Sequence, residues 1–429
     1  MGNLITSSSP PSSASLELPE ALQPPTQPVS TSFSLLLSAA RAILFLCFVG
    51  VSSFLLPLQV EQIDPANKVG ILGIGNGLAA LLALVANLVA GALSDRTASR
   101  FGRRRPWIFV GTIGSTLALA IMMTAGDVVT LLASWGCFNI TASLVFAALS
   151  ALVPDQVPDR QYGTVSGIVG LAIPVGYIAG AILIGLVLKA ANISYIIMIV
   201  ILLVFFIPYT LFLRDKMLPK EHVTSFNLLI FLKNFWIDPR KYPDFGWAWL
   251  NRFLTILGYS VGFSYFFYYL QDYVHYPRQQ IVQGVSTANI MALLMMMAAT
   301  LVSGYLSDRF QRRKIFVVIA SVVIALGLLI FAFFPSWTMV LVASAIVGTG
   351  FGIFTSVSLA VIVQVLPSAH SRAKDLGVLN IANTLPQAVA PVVAALFITQ
   401  FHSYPVLFIA AALFTVLGGV LIQRVKSVR

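Results

Sequence analysis

Long apolar runs alternate with short polar connections over nearly the whole chain. Crossing the hydrocarbon core of a bilayer takes about 20 apolar residues in a helix. Twelve runs have that character, at 33–58, 69–93, 107–125, 128–153, 163–188, 193–213, 246–270, 282–306, 315–334, 337–366, 376–399 and 404–423. None carries the polar face that a soluble helix presents to water. They are too long, and alternate too little, to be strands of a membrane barrel. The pattern predicts an all-α membrane protein with twelve transmembrane helices.

The pattern also repeats. Arg41, Asp95, Pro154, Arg160 and Pro174 recur as Arg252, Asp308, Pro367, Arg372 and Pro386, at a nearly constant spacing of about 212 residues. Gly91-Ala-Leu-Ser-Asp-Arg96 returns as Gly304-Tyr-Leu-Ser-Asp-Arg309. Two pseudo-symmetric halves of six helices follow, in parallel orientation because six crossings return the chain to its starting side. The expected units are a disordered cytoplasmic tail at 1–32, a first half at 33–213, a linker at 214–245 and a second half at 246–429. Within the linker, 225–236 is aromatic-rich but too short to span, and reads as a helix lying along the interface.

Composition agrees with the pattern. The 429 residues are 58% hydrophobic and only 10% charged, with a mean hydropathy of +0.90. The net charge of +11 would suggest nucleic acid in a soluble protein, but its placement excludes that partner. Lys68, Lys189 and Arg278 lie in loops on one side, and Arg41 and Arg252 lie inside helices. The remaining Lys and Arg fall on the other side, which the positive-inside rule assigns to the cytoplasm with both termini. The expected location is the plasma membrane. The tail before the first helix has no Lys or Arg, so it lacks the basic segment of a secretory signal. Cys47 and Cys137 fall inside helices, and the four histidines lack ligand spacing, so neither disulfide nor metal is expected. No phosphate-binding Gly-x-x-x-x-Gly-Lys-Ser/Thr stretch occurs, and no cofactor or enzymatic activity is expected.

The loop after the second run reads Gly91-Ala-Leu-Ser-Asp-Arg-Thr-Ala-Ser-Arg-Phe-Gly-Arg-Arg-Arg-Pro-Trp107. It resembles the signature loop of the major facilitator superfamily. Its longer form also resembles that of the plant sucrose–proton symporters and the bacterial glycoside–pentoside–hexuronide:cation symporters. So do Asp155-Gln-Val-Pro-Asp-Arg160, Arg252-Phe-Leu254 and Asn380-Ile-Ala-Asn-Thr-Leu-Pro-Gln387. The resemblance implies secondary active transport of a small solute, a sugar or glycoside, by alternating access. A coupling cation and the lipid bilayer are the other expected partners, and a monomer is the expected working unit. The expected cytoplasmic gate comprises Gly91, Asp95, Arg96, Gly102, Arg103 and Arg104, with Gly304, Asp308, Arg309, Arg312 and Arg313 in the second half. Gly91 would allow close helix approach, and Asp95 would accept charge-assisted bonds from the arginines.

Polar residues inside a membrane are costly and mark candidate binding sites. Arg41, Asn76, Asn139, Arg252, Asn289, Asn380, Asn383 and Gln387 qualify, each open to the alternative that it only bonds neighbouring helices. Tyr259 and Tyr265 could reach a substrate, whereas Tyr268, Tyr269 and Tyr273 read as an interfacial aromatic belt. Arg41 and Arg252 either reach back to the interface or face each other across the cavity. The second arrangement would suit an anion and resembles organophosphate antiporters of the same superfamily; a drug exporter is a related alternative. No acid falls in mid-membrane, so Asp272 is the remaining coupling candidate, against the simpler reading of a solvated loop acid. A channel, or a receptor that transports nothing, stays open as a different class.

Overall fold

The structure, a computed structural model, describes residues 25–184, 191–213, 215–219, 241–310, 312–365 and 372–426. All regular structure in these residues is helical. In chain order α1 is Thr31–Gly50, continuing through a π-helical turn at Val51–Leu55 into Leu56–Ile63. Next come α2 at Lys68–Asp95, α3 at Arg105–Thr124 and α4 at Val128–Gln156. The helix α5 is Asp159–Gly170 continued by Ala172–Ile182, and α6 is Ala191–Phe212. In the second half α7 is Pro243–Ser264, followed by Phe266–Tyr268 and a π-helical turn at Tyr269–Tyr273. Then follow α8 at Ile281–Phe310, α9 at Arg313–Phe333, α10 at Trp337–Gln364, α11 at Arg372–Phe401 and α12 at Tyr404–Leu421.

Local chemistry sets these ends. Asp127 and Ser336 accept from the backbone N–H groups of Thr130 and Met339, which caps α4 and α10. Proline sits in the first turn of α3, α7 and α12, where its missing N–H costs nothing. Among the described residues, eleven helices are long and apolar enough to cross a membrane. A twelfth follows if α7 and its continuation, bent by 45°, form one span. The straight run expected at 246–270 is therefore broken at Tyr265, whose backbone leaves helical geometry. The interfacial helix expected at 225–236 lies outside the described residues.

The sequence repeat becomes a repeat of packing. In the first half α1 packs on α5, α4 on both α2 and α3, and α3 on α6. In the second half α7 packs on α11, α10 on both α8 and α9, and α9 on α12. The halves meet where α2 lies against α11 and α5 against α8, two contacts that the pseudo-twofold exchanges. The copy is inexact, because α7 packs tightly on α12 whereas α1 barely touches α6. Glycine explains the tight pair. A Cβ on Gly418 would stand 3.0 Å from the Asn251 carbonyl oxygen, and the Asn251 side chain donates to the Gly418 oxygen at 2.7 Å.

Candidate functional site

The end of the bundle bearing the α2–α3 loop, called the basic end, holds a dense charged cluster. Arg104 is its centre, with only 3% of its side chain exposed. It donates to Asp95 at 2.6 Å, Ser94 at 2.8 Å and Asp155 at 2.8 Å. Arg103 reaches the other oxygen of Asp155 at 2.9 Å. Asp215, just past α6, accepts from the backbone N–H groups of Arg104 and Arg105 at 2.6 and 3.0 Å. It thereby caps the positive end of α3. Burial pushes its carboxyl above the ordinary range, against the pull of those two N–H groups. Arg105 returns the favour by donating to the carbonyls of Thr210 and Leu211 at the end of α6. Gly102 is required here: its φ is +101°, and a Cβ would collide with the Asp215 carboxylate.

Several expected gate residues behave otherwise. Arg96 donates to the Ala92 carbonyl of its own helix at 2.6 Å. A Cβ on Gly91 would meet nothing within 4 Å, so Gly91 serves no close approach. The contact of α2 with α11 is instead made near Gly73 and Gly77, at the other end of the helix. Gly304 does sit close to α10, where a Cβ would be 3.1 Å from the Ser356 hydroxyl. Arg309 ends α8, Arg312 caps α9 and Arg313 opens it. The side chain of Asp308 lies outside the described residues. Asp155 and Asp215 were missed as partners of Arg104; the recurring Pro154 beside Asp155 was the available signal.

At the opposite end only Asp272 was foreseen as a site residue. Lys68, at the start of α2, bridges Asp272 of the second half at 2.9 Å and Glu61 of its own half at 3.4 Å. Arg278 of the second half reaches Glu61 at 3.3 Å, and Gln271 also donates to Glu61. Tyr404 donates to Asp272 at 3.0 Å. Each half thus supplies one acid and one base, and the pairs cross. Tyr268 donates to the Pro57 carbonyl at 3.0 Å, with the Lys68 ammonium 4.6 Å above its ring. Tyr265 donates to the Val69 carbonyl at 2.7 Å. Asp272 is therefore not an isolated loop acid; it is one arm of a bridge between halves. Tyr268 and Tyr269 are fully buried, so they are not an interfacial belt: the bend at Tyr265 folds this segment over the seam. Glu61 and Asp272 recur at the same spacing as Arg41 and Arg252, a signal the sequence did contain.

Between the two ends lie the cavity candidates. Arg252 is 8% exposed, and donates to Asn383 at 2.5 Å and Ser358 at 3.0 Å. Phe354 lies under its guanidinium at 5.7 Å. Tyr259 stacks on Phe351 at 3.9 Å. Gln387, exposed, donates to the Asn383 carbonyl one turn earlier in its own helix. Arg41 lies 4.7 Å over the Phe146 ring, and its Nε is buried without a partner. The two arginines take their contacts from separate halves. Asn76 accepts from the Trp135 indole at 3.1 Å, and Asn139 donates to the Trp135 carbonyl at 2.9 Å. Asn76 thus bonds from α2 to α4, whereas the Asn139 bond stays within α4. Asn289 is half-buried, and the side chain of Asn380 lies outside the described residues.

Two six-helix halves with matching internal packing meet through α2 against α11 and α5 against α8. The sequence profile of the Major Facilitator Superfamily matches residues 37–299 and 282–428, and the chain belongs to that family. It is a multi-pass membrane protein of that superfamily. The nucleoside transporter NupG superposes with a TM-score of 0.70 at 14% identity, covering 91% of this chain and 99% of that chain. A bacterial homolog of the human lysosomal transporter Spinster, inward-facing and occupied, superposes with a TM-score of 0.69 at 13% identity, covering 93% of this chain and 97% of that one. Proton-associated sugar transporter A from Homo sapiens is 35% identical over 88 residues, 19% of this chain. The mouse protein matches equally. The chain spans 12% of the length of these curated relatives.

Proposed function

We propose that the solute is a sugar or glycoside, taken at a site on α7, α10 and α11 and moved by alternating access through the plasma membrane. The observation that carries this reading is the combination around Arg252. Asn383, Ser358 and the guanidinium offer fixed donors and acceptors, while Tyr259 and Phe351, both half-buried, supply aromatic faces. Sugars need both, because their hydroxyls demand hydrogen bonds and their C–H faces stack on rings. The segment similarity to Proton-associated sugar transporter A and the resemblance of the α2–α3 loop to sucrose and glycoside symporters support the same class.

In this reading the basic end faces the cytoplasm, as its positive charge favours. The bridge at the opposite end then closes the external side, so the halves are drawn here in a state shut to the outside. Asp272 belongs to that closure in our reading. The coupling cation of the sugar symporters therefore needs a carrier elsewhere.

The test is counterflow in proteoliposomes holding the purified protein. Preloaded unlabelled sugar should drive transient, saturable accumulation of labelled sugar. Accumulation of nucleosides or drugs with no response to any sugar would overturn the sugar assignment. Flux that is linear in concentration and lacks counterflow would indicate a channel.

A further inference from the structure

We propose that the first half binds one anionic phospholipid in a groove between α1 and α6, at the basic end of the bundle.

The groove exists because the sequence repeat is inexact at one helix pair. In the second half α7 and α12 approach closely through Gly258 and Gly418. A Cβ on Gly258 would stand 2.5 Å from the Ala411 carbonyl oxygen. At the repeat spacing of 212 residues, Leu46 and Phe206 stand in the places of these two glycines. Side chains of that size hold backbones apart, and α1 barely touches α6. Toward the basic end the gap becomes a groove of about 1150 Å³. Phe33 and Leu36 of α1 line one side. The other side is α6 from Val204 to Phe212, about 12 Å of helix.

Both walls are anchored from behind. The Gln161 side chain accepts from the Val29 N–H at 2.8 Å and donates to the Val29 carbonyl at 3.3 Å. This fixes the segment before α1 to α5. Arg105 holds the Thr210 and Leu211 carbonyls, and Asp215 caps α3. These bonds fix the end of α6 to α3. The groove is thus preformed, and neither wall fills it.

Its chemistry selects the occupant. Both walls belong to helices long and apolar enough to cross a membrane, so the medium beside them is lipid. Val204 is 69% exposed and Phe212 83%. At the basic end the lining turns polar, with Ser30, Ser32, Gln156 and Lys216. An apolar slot that ends in a polar mouth matches the acyl chain and headgroup of one lipid. Charge selects the headgroup. Asp215 is the one acid among the described lining residues, and it is already engaged by the N–H groups of Arg104 and Arg105. The adjoining α2–α3 loop, 96–105, adds five arginines and no acid. A basic mouth at the membrane surface favours an anionic headgroup. A soluble anion would leave the apolar wall uncovered, and a neutral lipid would leave the positive charge unanswered.

Native mass spectrometry of the purified, full-length protein tests this. The protein is held in detergent with equal amounts of phosphatidylglycerol and phosphatidylcholine bearing the same acyl chains. The wild-type protein should retain one phosphatidylglycerol, preferred over phosphatidylcholine by about fivefold for each basic group at the mouth. Val204→Trp fills the slot from an exposed position and should release that lipid. Leu326→Trp, on a 53% exposed position of α9 in the second half, should keep it. Lys216→Gln should lower the preference while retaining a lipid. The wild-type comparison needs no variant, so a folding defect in any of them does not blunt the test. Equal retention of the two lipids by the wild type overturns the proposal. So does retention that Val204→Trp leaves unchanged. Absence of any retained lipid also overturns it, the result expected if 1–24 or 220–240 of this chain fills the groove instead.

Discussion

The two ends of the bundle each hold a dense charged cluster, but they are connected differently. At the basic end Arg104 joins Ser94, Asp95 and Asp155, all from the first half. At the opposite end Lys68 reaches Asp272, and Arg278 reaches Glu61, each pair running from one half to the other. Bonds inside a rigid half survive when the halves rock. Bonds across the seam must break for that end to open. We therefore read the Arg104 cluster as a brace that shapes the α2–α3 loop, and propose that the opposite cluster is a latch whose making and breaking would accompany transport. The same charge chemistry has a different mechanical meaning because of what it connects.

The latch can be broken most severely by sterics. A Cβ on Gly73 would stand 2.5 Å from the Tyr265 hydroxyl and 2.7 Å from the Ala395 Cβ. Overpacking of this kind costs about 1–3 kcal/mol. Gly73→Val should therefore shift the balance of states by roughly five- to 150-fold toward opening at this end. Thiol labelling of single cysteines placed beside the seam should rise there, and counterflow should fall in step. Unchanged labelling would mean that the α2–α11 contact does not set the state.

The brace is next. Asp95→Asn removes the charge of one of the three side-chain partners of Arg104 and leaves Asp155 and Ser94. Exchange should fall several-fold while insertion and folding stay normal. A wild-type exchange rate in this variant would reduce Asp95 to a topological residue.

Lys68→Met removes one ammonium shared by two carboxylates. Its side chain is 14% exposed and that of Asp272 32% exposed, so the pair is partly screened. A cost near 1 kcal/mol, hence about fivefold in the balance of states, is expected. Exchanging the pair, Lys68→Asp with Asp272→Lys, should recover much of the loss. Failure of the exchange to recover anything would argue against direct pairing.

Arg278→Ala should have the smallest effect. Its side chain is 80% exposed, and exposed pairs contribute almost nothing measurable. A large effect would show that the crossed arrangement works as a unit rather than as separate pairs.

How much of this was legible depends on the kind of signal. The spans could be read because lipid imposes a length and a polarity on every crossing segment. Asp95 and Arg104 could be paired because they lie in one short loop. Asp215 could not, since it meets Arg104 only where α3 and α6 pack. Tyr265 looked like a cavity residue from its depth along α7, until the break at that residue turned its hydroxyl onto Val69. Gly91 carried the right motif, yet a Cβ there would meet open space, because the halves approach each other nearer Gly73.

By itself the amino-acid order determined twelve helices, their duplication, the charged α2–α3 loop and a matched pair of intramembrane arginines. These follow from local hydrophobicity and from spacing along the chain. Only the tertiary structure decided that Glu61, Lys68, Asp272 and Arg278 form one crossed latch, and that Arg252 is held by Asn383 and Ser358. Both depend on which helix faces meet and on how the two halves are tilted. That tilt is a property of packing between distant segments, and no pattern read along the chain encodes it directly.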